Sequence, residues 1–467
     1  MADRSDALTD GEATTTTSDS RATGKEGSAL IPPGIVFPFI LLASCFMWWG
    51  IANNITDPLV RVFKAVFGEL TTFQASLIQF AFYGGYFCMA IPGAIISRKF
   101  SYKTGVLVGL GLYAVGCFLL YPSTLLQRFV FFCISYYVLA CGLGILETNA
   151  NPYILAIGPM KTATRRLNFA QSFNPIGSVI GILLCQILIM ARLPQDAEGN
   201  LSIAPEQISE ALNIVIFPYL SVAGILVVVW ILIAVTKMPR MADSDGSVHL
   251  LHTVKQLSRN ANYVFAVVAQ FFYVGAQITV WTYTNFYIPE QMHVTQETAL
   301  KYHTGALILF GASRWVFTGL MKRFKAHTLL LGAAVLAGLL TLSVIFVGGL
   351  VGVCSLIGIS AFMSLMFPTI FGLGCEGLDD EQTKVGASGL IMAILGGALI
   401  TPSQGWLIDT FNARLLAKYS AAMPQEAAEE LATQVAVSWS YGLPLICFVV
   451  IAIYAMYNRR WEAQKLT

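Results

Sequence analysis

One long apolar segment of this chain carries a carboxylic acid near its centre. Glu147 lies in the stretch GLGILETNANPY, residues 142–153, inside an apolar run of roughly residues 128–158 that is long enough to span a bilayer. An ionised carboxylate at mid-membrane costs about 2.5–3.5 kcal/mol on insertion scales. We therefore expect Glu147 to face a water-filled path and to bind and release a proton. The alternative is a carboxyl group that is only hydrogen-bonded between helices.

A second acid, Asp57, closes the segment WWGIANNITDP of the first apolar stretch. Asn53 lies four residues earlier and shares a helix face with Asp57, and Asn54 is adjacent. We expect Asp57 to act in proton coupling at a different stage of the same cycle as Glu147. Because Pro58 follows it, Asp57 is also suited to be a helix N-cap, and the two roles are compatible.

Amide and aromatic side chains recur at helical spacing in several apolar stretches. Amides pair with sugar hydroxyls, and an aromatic face covers the C–H side of a sugar ring. A single amide is equally often a hydrogen bond between helices, but convergence from five spans predicts a sugar site. The predicted sugar-binding side chains are Asn53, Asn54, Gln79, Tyr83, Asn151, Gln171, Asn174, Gln270, Gln277, Trp281, Asn285 and Phe367.

The composition is that of a polytopic helical membrane protein. Hydrophobic residues make up 56% of the chain and charged residues 12%, with a mean hydropathy of +0.67, which excludes a water-soluble globular domain. The net charge of +2 gives no basis for nucleic-acid binding. The nine cysteines lie almost wholly in apolar stretches without CxxC spacing, so we expect packing side chains and not a disulfide framework or a metal site.

Hydropathy predicts an all-α membrane protein with twelve transmembrane helices in two six-helix bundles. Twenty lysines and arginines fall in loops on one side and seven on the other, so the positive-inside rule puts both termini in the cytoplasm. We expect an integral protein of a plasma or bacterial inner membrane. The spans are centred near residues 45, 86, 112, 142, 178, 224, 274, 311, 337, 362, 397 and 446. The predicted divisions are a disordered cytoplasmic tail (1–32), a first bundle (33–238), a cytoplasmic linker (239–260), a second bundle (261–459) and a cytoplasmic C-terminus (460–467).

Arg314 is the one basic side chain, other than histidine, inside a predicted span. It lies about 12 Å of helix rise from Lys322. It either extends along its helix to the cytoplasmic surface or forms an ion pair inside the bundle.

Motifs for enzyme or cofactor chemistry are absent from the sequence. The glycine pairs do not follow a strand, and GK[ST], GxSxG and HExxH do not occur, so the glycines are best explained by close helix packing. His249 and His252 have no further ligand nearby in the sequence. We therefore expect no enzyme activity, no cofactor and no bound metal.

The sequence resembles the major facilitator superfamily and, within it, the fucose/glucose/galactose/proton symporter family. The resemblance covers most of the predicted spans in order, and it implies two helix bundles around a central site. The stretches that carry it are ANNITD (52–57), FQASLIQFAFYGGYF (73–87), SYKTG (101–105), GLGILETNANPY (142–153), LNFAQSFN (167–174), AQFFYVGAQ (269–277), FMSLMFPTIFGLG (362–374) and GGALITP (396–402).

The resemblance also implies roles for single residues. It matches Asp57 and Glu147 with the family's two proton-linked carboxylates. It matches residues in sugar contact with Asn53 or Asn54, Gln171 and Asn174.

The sequence departs from the family pattern at three places. Met366 and Phe367 stand where the family's fucose carriers have a Gln-Tyr pair, and Phe286 replaces a family arginine, so the identity of the sugar stays open. In the superfamily's gating loop between spans two and three, Ser97 replaces the usual acid. The flanking loop residues that match are Gly93, Arg98 and Lys99.

These observations predict a secondary transporter that imports a monosaccharide, L-fucose or a related hexose such as galactose or glucose, by proton symport through alternating access. We expect it to work as a monomer in the lipid bilayer. A sodium-coupled carrier or a uniporter of the same fold is an alternative. A membrane sugar sensor that does not transport is another, although only about ten residues follow Tyr457 to reach a signalling partner.

Overall fold

A computed structural model describes residues 30–56, 63, 66–67, 72–194, 203–239 and 250–465. These residues form helices and turns without a β-strand, so the predicted all-α class is confirmed. Most of the predicted tail, the central part of the predicted linker (240–249) and the last two residues lie outside the described residues.

The described helices before residue 239 form what we call the N-terminal set. Prolines occur inside several of them, as membrane helices tolerate because neighbouring groups satisfy the freed carbonyls. The set consists of α1 (Val36–Thr56), α2 (Thr72–Lys99), α3 (Tyr102–Leu126), α4 (Phe129–Ala156), α5 (Ala163–Gln171), α6 (Phe173–Leu184), a π-helical turn (Cys185–Met190) and α7 (Ile208–Val235).

The helices after residue 260 form the C-terminal set, and a short helix, α8 (Leu250–Arg259), precedes them within the predicted linker. Side-chain caps mark several starts: Asn260 accepts from the amide of Tyr263, and Asp379 and Gln382 form a capping box. The set consists of α9 (Ala261–Met292), α10 (Gln296–Leu320), α11 (Ala326–Phe346), α12 (Gly349–Met363), α13 (Met366–Gly374), α14 (Asp380–Met392), α15 (Leu395–Tyr419), α16 (Gln425–Ser440) and α17 (Gly442–Lys465).

Within the described residues, eleven helical stretches are long and apolar enough to cross a bilayer. They correspond to the predicted spans except the eighth, which coincides with α10. That helix has 25 residues, but His303 and Arg314 lower its hydropathy. The count of twelve spans therefore stays a prediction for which α10 is the remaining candidate.

Hydrogen bonds connect the start of α3 and the end of α4 to the end of α7 and the residues that follow it. Lys103, at the start of α3, donates to the carbonyls of Ala234 and Thr236 at the end of α7, at 2.7 and 2.9 Å. Tyr153, near the end of α4, donates to the Pro239 carbonyl at 2.8 Å. We call this side of the molecule, which also carries Lys99 and α8, the linker end. The opposite side is the far end.

The two sets meet mainly near the linker end. The helix pairs that contact each other across the sets are α2 and α4 with α14, α5 with α13, and α5 and α6 with α10, with a smaller contact between α2 and α15. At the linker end these contacts include the Arg98–Glu381 ion pair and the approach of Lys384 Nζ to the Tyr102 ring.

Two predicted segments outside the bundles contain helix. Helix α17 runs to Lys465 and so includes most of the predicted C-terminal segment 460–467. It continues because Glu462 pairs with Lys325 at 2.7 Å and with His327 at 2.8 Å at the start of α11. The predicted linker also contains a helix, because Thr253 and Leu257 are buried against the helices beside it.

Helices α3 and α4 pack closely through glycines. A Cβ atom on Gly109 would lie 2.5 Å from the Leu146 amide nitrogen and 2.9 Å from the Gly142 carbonyl oxygen. This is the packing expected of glycines in membrane helices. It fixes the position of the α4 segment that carries Glu147.

We predict that Gly109→Ala lowers the stability of the folded protein by about 1–3 kcal/mol, because the methyl group overpacks a backbone contact. Thermal unfolding in detergent measures the change. Gly224→Ala is the matched control, since a Cβ there would meet nothing within 4 Å. Equal melting temperatures for Gly109→Ala and wild type would contradict this account of the packing.

Candidate functional site

The carboxyl group of Glu147 lies in the buried middle of α4. Every residue from Leu139 to Leu155 is buried, and Glu147 is only 5% exposed. Its Oε2 atom has no hydrogen-bond partner among the described residues. Asn151 lies one helical turn later on the same face of α4, and its Nδ2 atom likewise has no hydrogen-bond partner among the described residues. In this conformation the expected water path to Glu147 is closed, because neighbouring spans cover the acid.

Asn151 links α4 to α5. Gln171, the last residue of α5, donates its Nε2 hydrogen to Asn151 Oδ1 at 2.7 Å. Both side chains are buried, at 0% and 4% exposure, where an unpaired amide is costly. The structure therefore brings together three side chains that the sequence analysis selected on two separate spans.

A tyrosine that the sequence analysis did not select packs against α4 near Glu147. Tyr86 of α2 is buried and accepts a hydrogen bond from Trp49 Nε1 of α1, and a Cβ atom on Gly144 of α4 would lie 3.0 Å from the Tyr86 Cα atom. The signal was present in the sequence, because Tyr86 follows Gln79 and Tyr83 at helical spacing and so shares their face.

The side-chain amides of Asn54 in α1 and Asn174 in α6 donate hydrogen bonds to backbone carbonyls in this conformation. Asn54 donates to the Gly50 carbonyl of its own helix at 2.9 Å. Asn174 donates to the Phe46 carbonyl at 3.3 Å. Both side chains are half-buried. These contacts fit the structural alternative for a single amide and leave the sugar-binding role of both residues as a prediction.

In the C-terminal set, two predicted amides have atoms without partners. Gln270 is fully buried, and neither its Nε2 nor its Oε1 atom has a partner among the described residues; the Oδ1 atom of Asn285 is in the same situation. Trp281, one turn before Asn285, donates to Ser360 Oγ at 3.2 Å. Unpartnered buried amide atoms are the groups that gain most from a polar ligand.

The remaining predicted residues of the C-terminal set are apolar or half-buried. Met366 is fully buried, whereas the half-buried Phe367 ring lies 6.2 Å from the ring of Tyr273. Gln277 is half-buried, as is Tyr83 in the N-terminal set. The substitution of the family's polar pair thus leaves an aromatic face at this place.

Arg314 connects the two groups of residues. It is 3% exposed, and its Nη1 donates to the Gln171 carbonyl at 2.9 Å. Its guanidinium lies 4.6 Å from the ring centroid of Phe310, and that ring lies 5.0 Å from Trp281. Neither earlier interpretation holds: the side chain does not extend to the surface, and no ion pair of Arg314 occurs among the described residues.

The predicted gating loop is part of a helix. Gly93, Arg98 and Lys99 lie within α2, because the helix runs without interruption to Lys99. Gly93 is a packing position whose carbonyl accepts from Asn149 Nδ2 at 3.1 Å, and Lys99 is exposed.

Arg98 contacts the other set of helices. It forms an ion pair with Glu381 of α14. Thr253 of α8 donates to the same carboxylate oxygen at 2.9 Å. Sequence reasoning missed Glu381 and Thr253 because they are more than 100 residues from Arg98 and no local pattern links them.

Part of the predicted site cannot be placed. Asp57 and the side chains of Asn53 and Gln79 lie outside the described residues, so their roles stay predictions.

Comparison with known proteins places the chain among membrane transporters. Residues 39–402 match the model of the Major Facilitator Superfamily. The L-fucose-proton symporter of Haemophilus influenzae is 43% identical over 92% of this chain and 98% of its own. The glucose/galactose transporter of Brucella abortus is 30% identical over 90% and 93%. The crystal structure of the transporter FucP in the outward conformation matches with a TM-score of 0.77 and 36% identity over 91% of this chain and 99% of its own.

We predict that Glu381→Gln destabilises the closed linker end, because Arg98 is left with a buried charge that lacks its anionic partner. The double variant Arg98→Gln/Glu381→Gln should be less affected than the single variant, by about 1–3 kcal/mol of coupling. Thermal unfolding of the four proteins measures this coupling. Strictly additive effects would show that the pair contributes nothing.

Proposed function

The chain belongs to the Major Facilitator Superfamily, and we propose that it imports a monosaccharide of the L-fucose type together with a proton by alternating access. The observation that carries the proposal is the buried acid Glu147 with an unpartnered oxygen, in a chain that is 43% identical to an L-fucose-proton symporter.

The proton supplies the driving force for uphill transport. Binding of a neutral sugar does not by itself favour one direction, because a ligand shifts a conformational equilibrium only through its differential affinity. A carboxyl group that is hydrated when the cavity is open and enclosed when it closes gains a proton in one state and releases it in the other. Glu147 is such a carboxyl group, and the hydrogen bond between Asn151 and Gln171 fixes the side chains next to it. Asp57 loads the proton or holds the outer gate.

The linker end faces the cytoplasm in this proposal. The excess of lysine and arginine in the loops at that end supports the orientation. The described conformation is then closed toward the cytoplasm, which agrees with its likeness to a transporter solved in the outward conformation. The N-terminal and C-terminal sets act as the two bundles, and a single chain suffices for the cycle.

The sugar lies between the two bundles. The N-terminal bundle offers Asn53, Asn54, Gln79, Tyr83, Asn151, Gln171 and Asn174. The C-terminal bundle offers Gln270, Gln277, Trp281, Asn285 and Phe367. The unpartnered atoms of Gln270 and Asn285 are suited to bind hydroxyls, and the Trp281 indole is suited to cover the apolar side of the ring.

A second candidate substrate is galactose or glucose. Met366 and Phe367 leave it open, because the chain lacks at this place the Gln-Tyr pair that the family's fucose carriers have. A relative named as a glucose/galactose transporter also matches nearly the whole chain.

We predict that Glu147→Gln and Asp57→Asn each abolish concentrative sugar uptake driven by an inward proton gradient, because an amide does not take up the coupling proton. Labelled sugar accumulated by sealed vesicles at several external pH values measures the effect. Glu426→Gln, at an exposed acid of α16, is the matched control. Wild-type, pH-dependent accumulation by both site variants would contradict proton coupling. Sugar uptake that depends on sodium at fixed pH would instead indicate a sodium-coupled carrier.

We predict that Phe367→Tyr raises the preference for L-fucose over galactose about fivefold, which is the effect of one added hydrogen bond of about 1 kcal/mol. The measurement adds each sugar to unbuffered vesicles and records the alkalinisation of the medium. Phe346→Tyr, at an exposed position of α11, is the control. An unchanged ratio would show that position 367 does not contact the sugar.

A further inference from the structure

Arg314 carries a formal charge at a depth where water is scarce. Its guanidinium is 3% exposed and has no acidic partner among the described residues. Two backbone carbonyls take its hydrogens: Nε donates to Ser364 at 2.5 Å and Nη1 to Gln171 at 2.9 Å. Ser364 belongs to the C-terminal set and Gln171 to the N-terminal set. The charge is therefore held by one carbonyl from each side.

Prolines explain why these two carbonyls are free. Gln171 is followed four residues later by Pro175, and Ser364 is followed four residues later by Pro368. In a continuous α-helix each carbonyl would accept from the amide of the residue four positions on, but proline has no N–H. The helices are accordingly interrupted at both places, between α5 and α6 and between α12 and α13. Each proline thus supplies an acceptor that the helix does not use.

The surroundings make Arg314 a bridge between the sets. The neighbouring Trp315 packs edge-on against Phe169 at 5.4 Å and lies 6.0 Å from Phe173. Asn168 of α5 donates to Thr369 Oγ1 of α13 at 3.2 Å. Gly311, one turn before Arg314, also approaches Pro175, because a Cβ atom on it would lie 3.0 Å from the Pro175 Cβ atom. These contacts join the sets near Arg314, and the Arg98–Glu381 pair lies nearer the linker end.

We propose that Arg314 is a positioning residue that holds the linker end closed by binding the proline-freed carbonyls of Gln171 and Ser364 at once. We call this arrangement the Arg314 clamp. Opening of the linker end separates the sets, breaks the bond to Gln171 and leaves the buried charge with one acceptor fewer. The inference rests on the proposed alternating access, and it adds a residue whose side chain need not touch the sugar or the proton.

The clamp and the proton site share one residue. Gln171 gives its carbonyl to Arg314 and its side-chain N–H to Asn151, and Asn151 lies one helical turn after Glu147 on α4. A rearrangement of Asn151 that follows a change at Glu147 therefore moves the residue that Arg314 holds. Two hydrogen bonds thus lead from Arg314 to the helical turn that follows the acid.

The test measures the separation of the sets directly. Spin labels at Lys161→Cys and Arg323→Cys, both exposed positions at the linker end, report the distance between α5 and α10 by pulsed electron paramagnetic resonance. The exposed native Cys88 and Cys354 are replaced by serine. The distance distribution is recorded without sugar and with saturating L-fucose or galactose.

Two variants weaken the clamp in different ways. Arg314→Lys keeps the charge but loses the fork that reaches two acceptors, and Pro175→Ala restores an N–H that competes for the Gln171 carbonyl. Each should raise the sugar-free population of the longer distance roughly threefold or more. Pro122→Ala, at an exposed proline inside α3, should leave the distribution unchanged.

The outcomes separate this inference from the proposed function. Wild-type distributions in both Arg314→Lys and Pro175→Ala, in protein that remains monodisperse, would overturn the clamp. An equal shift in Pro122→Ala would also overturn it, because any proline change would then act alike. A wild-type distribution that does not respond to sugar or to acid pH would instead count against alternating access itself.

Discussion

A carboxyl group and a guanidinium lie in the interior of this protein at a depth where neither finds water. An unpaired charge in such an environment costs several kcal/mol. The protein supplies two acceptors for the guanidinium, whereas one oxygen of the carboxyl group has no partner among the described residues. Asn151 and Gln171 fill the space between Glu147 and Arg314 with hydrogen-bonding groups. The remaining features of the centre follow from this need to satisfy polar groups without solvent.

The helix interruptions are one such feature. Breaking a membrane helix exposes carbonyls that lipid cannot satisfy, so an interruption persists only where another group takes over. Pro175 and Pro368 each leave one carbonyl without its helical partner. The Arg314 guanidinium donates a hydrogen bond to both of these carbonyls. The consequence is a contact that depends on the two helix sets being together. The hydrogen bonds that satisfy these carbonyls in the closed conformation therefore also oppose the opening of the linker end.

The sequence analysis predicted the fold class and the acid at the centre, because polar residues in lipid-length apolar stretches are costly and stand out individually. Asn151 and Gln171 were found for the same reason. Arg314 was noticed, but its partners were not predictable, since a proline shows which backbone carbonyl is freed and not which distant side chain binds it. Glu381 was missed because its role arises from a long-range contact, whereas the helical spacing of Tyr86 from Gln79 and Tyr83 could have identified Tyr86. The gating residues were assigned to a loop, whereas α2 continues through them.

The central claim is that the sugar and a proton bind together because Glu147 takes up that proton. Purified protein in weakly buffered solution, with a pH indicator, allows the protons bound on addition of saturating sugar to be counted directly. The account predicts uptake of about one proton per sugar bound by the wild type near neutral pH and none by Glu147→Gln, with binding of the sugar itself measured separately by calorimetry. Equal proton uptake by the wild type and by Glu147→Gln would contradict it.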